Sequence, residues 1–370
     1  MKQRSTALSL FAGLLVVACV AGTVFAQEAR DPNAVPMYAV RAPHSIAETP
    51  ATGALPTWNG SFVYKGATYK YTMVGTAPTT GKSTTIPVFI IPVALSYKSG
   101  TTTTTFSPLT KLSNGLTAVQ STVQSPIFEN MDWVSPEGTD LGTTQYEDAF
   151  QRGNFWTEVS AAPGYHLLLG TPKVAPVQTL VVPAADGSIG NEFGVKVGLA
   201  DINWFDSQLQ SILIKFKANI KPNTLPIFIT YNAYLTEGIC CVGGYHSSFA
   251  NGGVQQAYSH FTYIGTAGVF AQDVSALSHE AGEWLDDPLV TNSGNPVQCG
   301  ILEVGDPEEG FTEDGAVDGA FPYTLNGSTY HLQDLVYLEY FGAPNTTSVD
   351  GGTESFHDNP FKLGICNNGG

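Results

Sequence analysis

Short runs rich in β-branched and aromatic residues constrain the fold of this chain more than any other feature. They occur at 61–64, 68–74, 85–91, 93–97, 167–182, 225–231 and 258–264. Residues of these types favour strands, and the prolines between 85 and 97 favour edge positions or bulges. Apolar residues at helical spacing appear at 144–152, 205–214 and 271–287. The pattern predicts an α+β fold, β-rich in its N-terminal part, with an isolated helix late in the chain.

The N-terminus has the pattern of an export signal. Two basic residues precede an apolar run that reaches about Val20, and residues 24–26 fit a cleavage site. We therefore expect residues 1–26 to be a signal peptide and the mature protein to be secreted or periplasmic. A sequence resembling a lipobox makes a lipid anchor at Cys19 the alternative. The apolar run is short for a membrane-spanning helix.

The remaining chain divides by composition. Residues 27–55 contain four prolines and no regular period, which predicts an extended leader or linker. Residues 56–370 are expected to form a single domain with a possible lobe boundary near 288. The formal net charge of −16 disfavours nucleic acid and anionic membrane surfaces as partners.

Four cysteines follow the predicted signal peptide: Cys240, Cys241, Cys299 and Cys366. An even number in an exported chain predicts two disulfides. A bridge between adjacent cysteines would be strained, so we expect Cys299 to pair with Cys240 or Cys241. A zinc site formed by all four lacks the usual paired spacing.

The segment 279–283, with sequence HEAGE, carries the chemistry that the sequence indicates most clearly. Positions i and i+4 of a helix share a face, so His279 and Glu283 can bind one metal ion together. Zinc accepts both ligand types, and a catalytic zinc site keeps one position for water. Glu280 stands where a general base would take a proton from that water.

A third ligand is expected about twenty residues further on. Glu303 and Asp306 are the candidates, and Asp306 is slightly favoured because Gly305 permits close backbone approach. Asp286 lies on the same helical face as His279 and is a candidate partner for its imidazole.

Other polar residues have weaker indications. Tyr245, His246, Tyr330 and His331 could stabilise a tetrahedral intermediate, although structural roles are more common for such residues. The acidic loop 305–319 could bind calcium but lacks EF-hand spacing. The alternative for the HEAGE segment itself is an exposed helix whose charges are simply solvated.

Three segments resemble a group of secreted bacterial proteins that look like divergent zincin metallopeptidases. They are Ser278-His279-Glu280-x-x-Glu283, Asp287-Pro288 and Glu303-x-Gly305-Asp306, with weaker similarity at 146–152, 240–246 and 332–335. The resemblance implies a zincin-like fold, bound zinc and peptide hydrolysis, with His279 and Glu283 as ligands and Glu280 as the base. The usual motif has a second histidine where this chain has Glu283.

The predicted signal peptide, the HEAGE segment and the resemblance together predict an exported zinc-dependent hydrolase. We expect it to be a peptidase that aligns an extended substrate along a sheet edge. The alternative is a non-catalytic secreted or cell-surface protein whose metal site is structural or a relic.

Overall fold

The computed structural model describes residues 35–39, 41, 54–251, 254–292, 302–310, 316–344, 347–351 and 353–357. The fold is α+β and rich in strands, as the sequence predicts. The predicted signal peptide, most of the predicted leader, Cys299 and Cys366 lie outside the described residues.

Five helices and nineteen strands form the described structure. The helices are α1 (Ala118–Val123), α2 (Tyr146–Asn154), α3 (Trp156–Ala161), α4 (Ile202–Lys215) and α5 (Ser275–Asp286). The strands before α4 are β1 (Thr57–Tyr64), β2 (Ala67–Val74), β3 (Ser83–Ile86), β4 (Val88–Ser99), β5 (Thr102–Phe106), β6 (Met131–Val134), β7 (Asp140–Thr144), β8 (His166–Leu169), β9 (Lys173–Val174), β10 (Gln178–Val182), β11 (Gly187–Glu192) and β12 (Val195–Asp201). The strands after it are β13 (Leu225–Tyr231), β14 (Ala233–Glu237), β15 (Ile239–Val242), β16 (Gly244–Asn251), β17 (Val254–Tyr263), β18 (Ala320–Leu325) and β19 (Ser328–Gln333).

The main sheet has the order β10-β4-β13-β17-β16, and β5 and β9 also pair with β4. Strands β10, β4, β13 and β17 are parallel, whereas β16 is antiparallel to β17 at one end of the order. A second sheet, β11-β12-β14-β15, and four two-stranded sheets surround it.

Alternate residues of β13 enter two separate cores, one on each face of the main sheet. Ile227 and Ile229 pack in the cluster that contains Trp284 of α5. Phe228 packs in the cluster that contains Phe205 of α4. Because both faces are covered, β13 is buried along nearly its whole length, which explains its continuous apolar sequence.

The prediction of an edge position or bulge is wrong for Pro92. Strand β4 runs through this residue and lies inside the main sheet. On one side, β9 pairs with Phe89 and Ile90, and β10 pairs from Val93 onward. The gap between those two short strands falls beside Pro92, so no partner there requires a proline N–H.

The predicted helices are present with shifted ends. The pattern at 205–214 lies inside α4, whose first turn is capped by the Asp201 carboxylate, which accepts from the backbone N–H of Asn203 and Trp204. The late helix begins at Ser275 rather than at 271. Ala271 and Asp273 have positive φ values of 57° and 39°, which a right-handed helix excludes.

The predicted pairing of Cys299 with Cys240 or Cys241 is wrong, because Cys240 and Cys241 are joined to each other. Each sulfur forms one such bond, so neither is left for Cys299. No helix among the described residues is long and apolar enough to cross a lipid bilayer.

Candidate metal centre

Helix α5 is enclosed by the fold on every side. All twelve of its residues are buried, and it packs against β16, β17, β19, β2 and α2. The exposed-helix alternative for the HEAGE segment is therefore wrong. Charged groups buried in this way need a partner, a proton or a metal ion.

His279, Glu283 and Asp306 converge at one point. The His279 Nε2 atom lies 2.9 Å from Glu283 Oε1 and 3.7 Å from Asp306 Oδ1. One ligand atom from each of the three residues lies within 4.8 Å of the others. The i, i+4 spacing thus places the first two groups on one face, and the 3-10 turn Asp306–Glu308 brings the third to them.

The Gln333 side chain determines which nitrogen of His279 carries the proton. Its amide nitrogen donates to the Gly305 carbonyl at 3.0 Å, which turns its Oε1 toward His279 Nδ1. That oxygen can only accept, so Nδ1 carries the hydrogen and Nε2 presents a lone pair.

Asp286, which the helical face suggested as partner of this imidazole, does not contact it. The Asp286 carboxylate instead accepts from the side chain of Gln151 on α2. Asp286 is seven residues from His279, which returns it to nearly the same face but places it about 10 Å further along the helix axis. Asp286 therefore lies beside α2 at the end of α5, whereas Gln333 of β19 lies beside His279.

The lone pair of His279 therefore faces two carboxylates. Among the described residues, no donor faces its Nε2 atom. Three acceptors cannot stabilise one another without a proton or a cation between them. A nitrogen and two carboxylate oxygens form a donor set that suits zinc, so the residues fit the predicted metal.

Glu303, the other candidate for the third ligand, lies on a different side of Glu283. Its Oε2 atom is 3.9 Å from His246 Nε2, and it does not belong to the cluster of three around His279. Its carboxyl group is fully buried and pairs with the carboxyl group of Glu283. Asp306 is thus the candidate that lies against His279, and its side chain is 21% exposed.

Glu280 is nearly fully buried beside the same point. Its Oε1 atom has no hydrogen-bond partner within the described part of the chain. A Cβ atom at position 244 of β16 would lie 2.6 Å from this oxygen. Only a glycine at this position therefore leaves room for the Glu280 carboxylate.

His246 lies in the same cluster, where the sequence offered it only a weak role. Its Nδ1 atom is 3.4 Å from Glu280 Oε2 and 3.7 Å from Glu283 Oε2. The other three residues predicted to stabilise a tetrahedral intermediate lie outside this cluster. Tyr245 donates to Asp206 in the core beside α4, His331 pairs with Asp273, and Tyr330 neighbours Ser121.

Burial controls the protonation of this cluster. Burial lowers the pKa of His279 to about 4 and that of His246 to about 4, so both imidazoles are neutral near pH 7. Burial raises the pKa of Asp306 to about 6 and holds the pKa of Glu280, Glu283 and Glu303 well above the usual range of a carboxyl group. A bound cation would act in the opposite direction on the carboxylates.

Residues 35–39, called the cover strand below, lie over the centre in an extended conformation, with an isolated parallel bridge between Met37 and Val242. Backbone hydrogen bonds join Val35, Met37 and Ala39 to residues 240–244 at the end of β15 and the start of β16. The Tyr38 ring stacks on the His279 ring with centroids 3.6 Å apart. Its hydroxyl donates to the Asp318 carboxylate, and its backbone N–H donates to Glu309 Oε1 at 2.6 Å.

The acidic loop 305–319 contributes to this cover. Glu309 and Asp318 bind Tyr38, and Asp306 faces His279. Among its described residues, Asp306 is the one that joins a three-residue cluster able to hold a metal ion. Calcium binding by this loop therefore stays a prediction.

Sequence reasoning missed the roles of three residues: His246, Gln333 and Tyr38. The first two lie in the weakly similar segments 240–246 and 332–335, so the sequence located them without a function. Tyr38 lies in the predicted leader, and its place over His279 depends on contacts made across 241 positions of the chain.

Comparison of the chain with models of protein families, with curated proteins and with solved structures found no match. The functional argument therefore rests on the geometry of this centre.

Proposed function

We propose that this protein is an exported zinc-dependent hydrolase that cleaves extended polypeptide chains. The observation that supports this most is the lone pair of His279 Nε2, which faces the carboxylates of Glu283 and Asp306 and has no hydrogen-bond partner in the described structure. Glu283 Oε1 also accepts from the Gly305 N–H at 3.2 Å, which leaves the His279 lone pair uncompensated. A zincin-like arrangement, with the motif helix beside an antiparallel edge strand, is part of the proposal.

His279, Glu283 and Asp306 hold the metal, and Gln333 orients His279. Bound zinc supplies the Lewis acidity that makes a water reactive and polarises a peptide carbonyl. Glu280 accepts the proton of that water, and its free Oε1 atom is available for this role. The buried surroundings strengthen each of these electrostatic interactions.

The cover strand indicates what kind of substrate fits. Residues 35–39 are extended and pair with the backbone of residues 240–244 beside the centre. A polypeptide of unrelated sequence could pair in the same way, because these hydrogen bonds involve only backbone atoms. The hydrolytic form is therefore one in which residues 35–39 have left this position and a substrate strand has replaced them.

The decisive experiment compares two glutamate variants of the mature protein. Glu280→Gln should keep the zinc held by His279, Glu283 and Asp306 and its thermal stability, but lower the rate of peptide cleavage by roughly 10²–10⁴-fold, because at that ion it removes only proton transfer. Glu283→Gln should lose zinc as well, because it removes a charged ligand. Zinc is measured by elemental analysis, and cleavage is measured on an unfolded protein by mass spectrometry. If His279→Ala, Glu280→Gln and Glu283→Gln all keep zinc, the metal site is wrong.

A second candidate function has one specific observation in its favour. His279 and Glu280 are 0% and 1% exposed, which is typical of a structural metal centre. In that case zinc would join α5 and the segment 302–310 without any catalysis. Zinc bound to the wild-type protein with no cleavage, before or after removal of residues 27–41, would favour this candidate.

A further inference from the structure

His246 presents a second lone pair to the carboxylates of α5. Its Nε2 atom lies 3.0 Å from the backbone carbonyl of Asp287, which can only accept. Nε2 therefore carries the hydrogen, and the Nδ1 lone pair faces Glu280 Oε2 at 3.4 Å and Glu283 Oε2 at 3.7 Å. Two carboxylates again face a nitrogen that has no hydrogen to donate.

Glu283 lies between the two imidazoles. Its Oε1 atom faces His279 and its Oε2 atom faces His246. His246, Glu280 and Glu283 offer ligand atoms that all lie within 4.8 Å of one another, separately from the cluster of His279, Glu283 and Asp306. A carboxylate whose two oxygens face different nitrogen ligands can bridge two cations.

Glu280 has a buried oxygen at this second position that lacks a partner. Its Oε1 atom has no hydrogen bond among the described residues. Its Oε2 atom pairs with His246 Nδ1 at 3.4 Å, and because that nitrogen carries no hydrogen, a proton or a cation must lie between the two atoms. Buried carboxylates with no partner are costly, so an ion or a proton must compensate them.

With all of its carboxylates ionised, the cluster carries enough negative charge for two divalent ions. The cluster contains two imidazoles and four carboxylates: His246, His279, Glu280, Glu283, Glu303 and Asp306. The two neutral imidazoles leave four negative charges when all the carboxylates are ionised. One divalent cation compensates two of them, and a second divalent cation compensates the rest.

We propose that His246, Glu280 and Glu283 form a second divalent-cation site, in which Glu283 bridges the two ions. The binding stoichiometry is independent of catalysis, whereas the kinetic consequence rests on the proposed hydrolase function. A Glu280 carboxylate that binds the second ion cannot accept a proton, so occupation of this site should switch hydrolysis off.

The test is a zinc titration of metal-free mature protein, followed by calorimetry and by elemental analysis after gel filtration. Wild-type protein should bind two equivalents, and His246→Gln should bind one. The glutamine amide can still donate to the Asp287 carbonyl, which preserves the local hydrogen bond. His166→Gln is the matched control, because it alters a histidine paired with a carboxylate away from the centre, and it should bind two equivalents.

Circular dichroism and the thermal midpoint verify that each variant is folded. If His246→Gln does not fold, Glu280→Gln should also lower the second binding step, since it weakens the same site. Wild-type protein that binds a single equivalent throughout the titration overturns the proposal, as does a folded His246→Gln that still binds two.

A second measurement tests the kinetic consequence by following cleavage of an unfolded protein during the same titration. Wild-type activity should rise with the first equivalent and fall with the second, and the fall should be absent in His246→Gln. If no cleavage occurs at any zinc level, before or after removal of residues 27–41, the hydrolase proposal fails. In that case the number of zinc equivalents bound still tests whether the second cation site exists.

Discussion

At the residue scale, Gly305 determines how closely the segment 302–310 approaches α5. A Cβ atom at this position would lie 2.4 Å from His279 Nδ1, which is closer than side chains can pack. The sequence expected this glycine to permit close approach, and the structure shows that the group approached is the imidazole itself.

Gly305→Ala should therefore displace His279 and weaken zinc binding. We expect the free energy of unfolding to fall by about 1–3 kcal/mol, the usual effect of overpacking, together with loss of zinc at stoichiometric concentration. Gly198→Ala is the control, because its Cβ would meet the Tyr97 ring at 2.7 Å, far from the centre. That variant should lose stability and keep zinc. Equal zinc contents in the two variants would contradict the prediction.

His260 offers a test of pH dependence outside the metal centre. Burial lowers its pKa from 6.5 to about 3. Between these values the unfolded chain binds more protons than the folded chain, so stability decreases as the pH falls below about 6.5. The decrease should reach roughly 1.4 kcal/mol per pH unit.

His260→Gln removes this titration. The variant should therefore lose about 2 kcal/mol less than the wild type between pH 7 and pH 5, measured by urea unfolding at both values. Thr230→Val serves as the control, since it removes the hydroxyl 3.1 Å from His260 Nε2 but keeps the titrating ring. Identical pH slopes for wild type and His260→Gln would show that His260 does not titrate in this way.

At the scale of elements, the cover strand limits access to the centre. Tyr38 stacks on His279, so Tyr38→Ala should make local opening easier. Loss of a buried aromatic ring typically costs a few kcal/mol, so zinc extraction by a chelator should accelerate on the order of tenfold to hundredfold. Val35→Ala, at an exposed position of the same strand, should lose zinc to the chelator at the wild-type rate. Extraction at the same rate in Tyr38→Ala would mean that the metal escapes by another route.

The secondary structure was largely predictable from local pattern. Helices α2, α4 and α5 follow the apolar spacing, and strands such as β13 follow runs of β-branched and aromatic residues. The start of α5 was misplaced because positive φ values at Ala271 and Asp273 depend on the turn that follows β17. Pro92 was misplaced because the gap between β9 and β10, which are distant in sequence, makes an interior position acceptable.

At the scale of the whole molecule, the centre links parts of the chain that are far apart. Removal of zinc by a chelator should lower the thermal midpoint. At free zinc a thousandfold above the dissociation constant, binding stabilises the folded state by about 4 kcal/mol. Differential scanning calorimetry should show this loss for wild type and for Glu237→Gln, whose carboxylate is half exposed. Glu283→Gln should be insensitive to the chelator, and a comparable loss in that variant would contradict the assigned ligand.

By itself, the sequence determined which groups share a face of α5. His279 and Glu283 are four residues apart in a helix, and this spacing makes their side chains neighbours on one face. In the structure their Nε2 and Oε1 atoms are 2.9 Å apart. The sequence also limited the candidates for the third ligand to Glu303 and Asp306. These inferences succeed because they depend on helical geometry and on short separations along the chain.

Only the tertiary structure decided what surrounds those groups. Gln333 rather than Asp286 orients His279, His246 joins the cluster from β16, and Tyr38 closes it. A helical period specifies a direction from the helix axis but not which element packs there. That choice depends on the order of strands in the main sheet and on contacts between residues up to 280 positions apart.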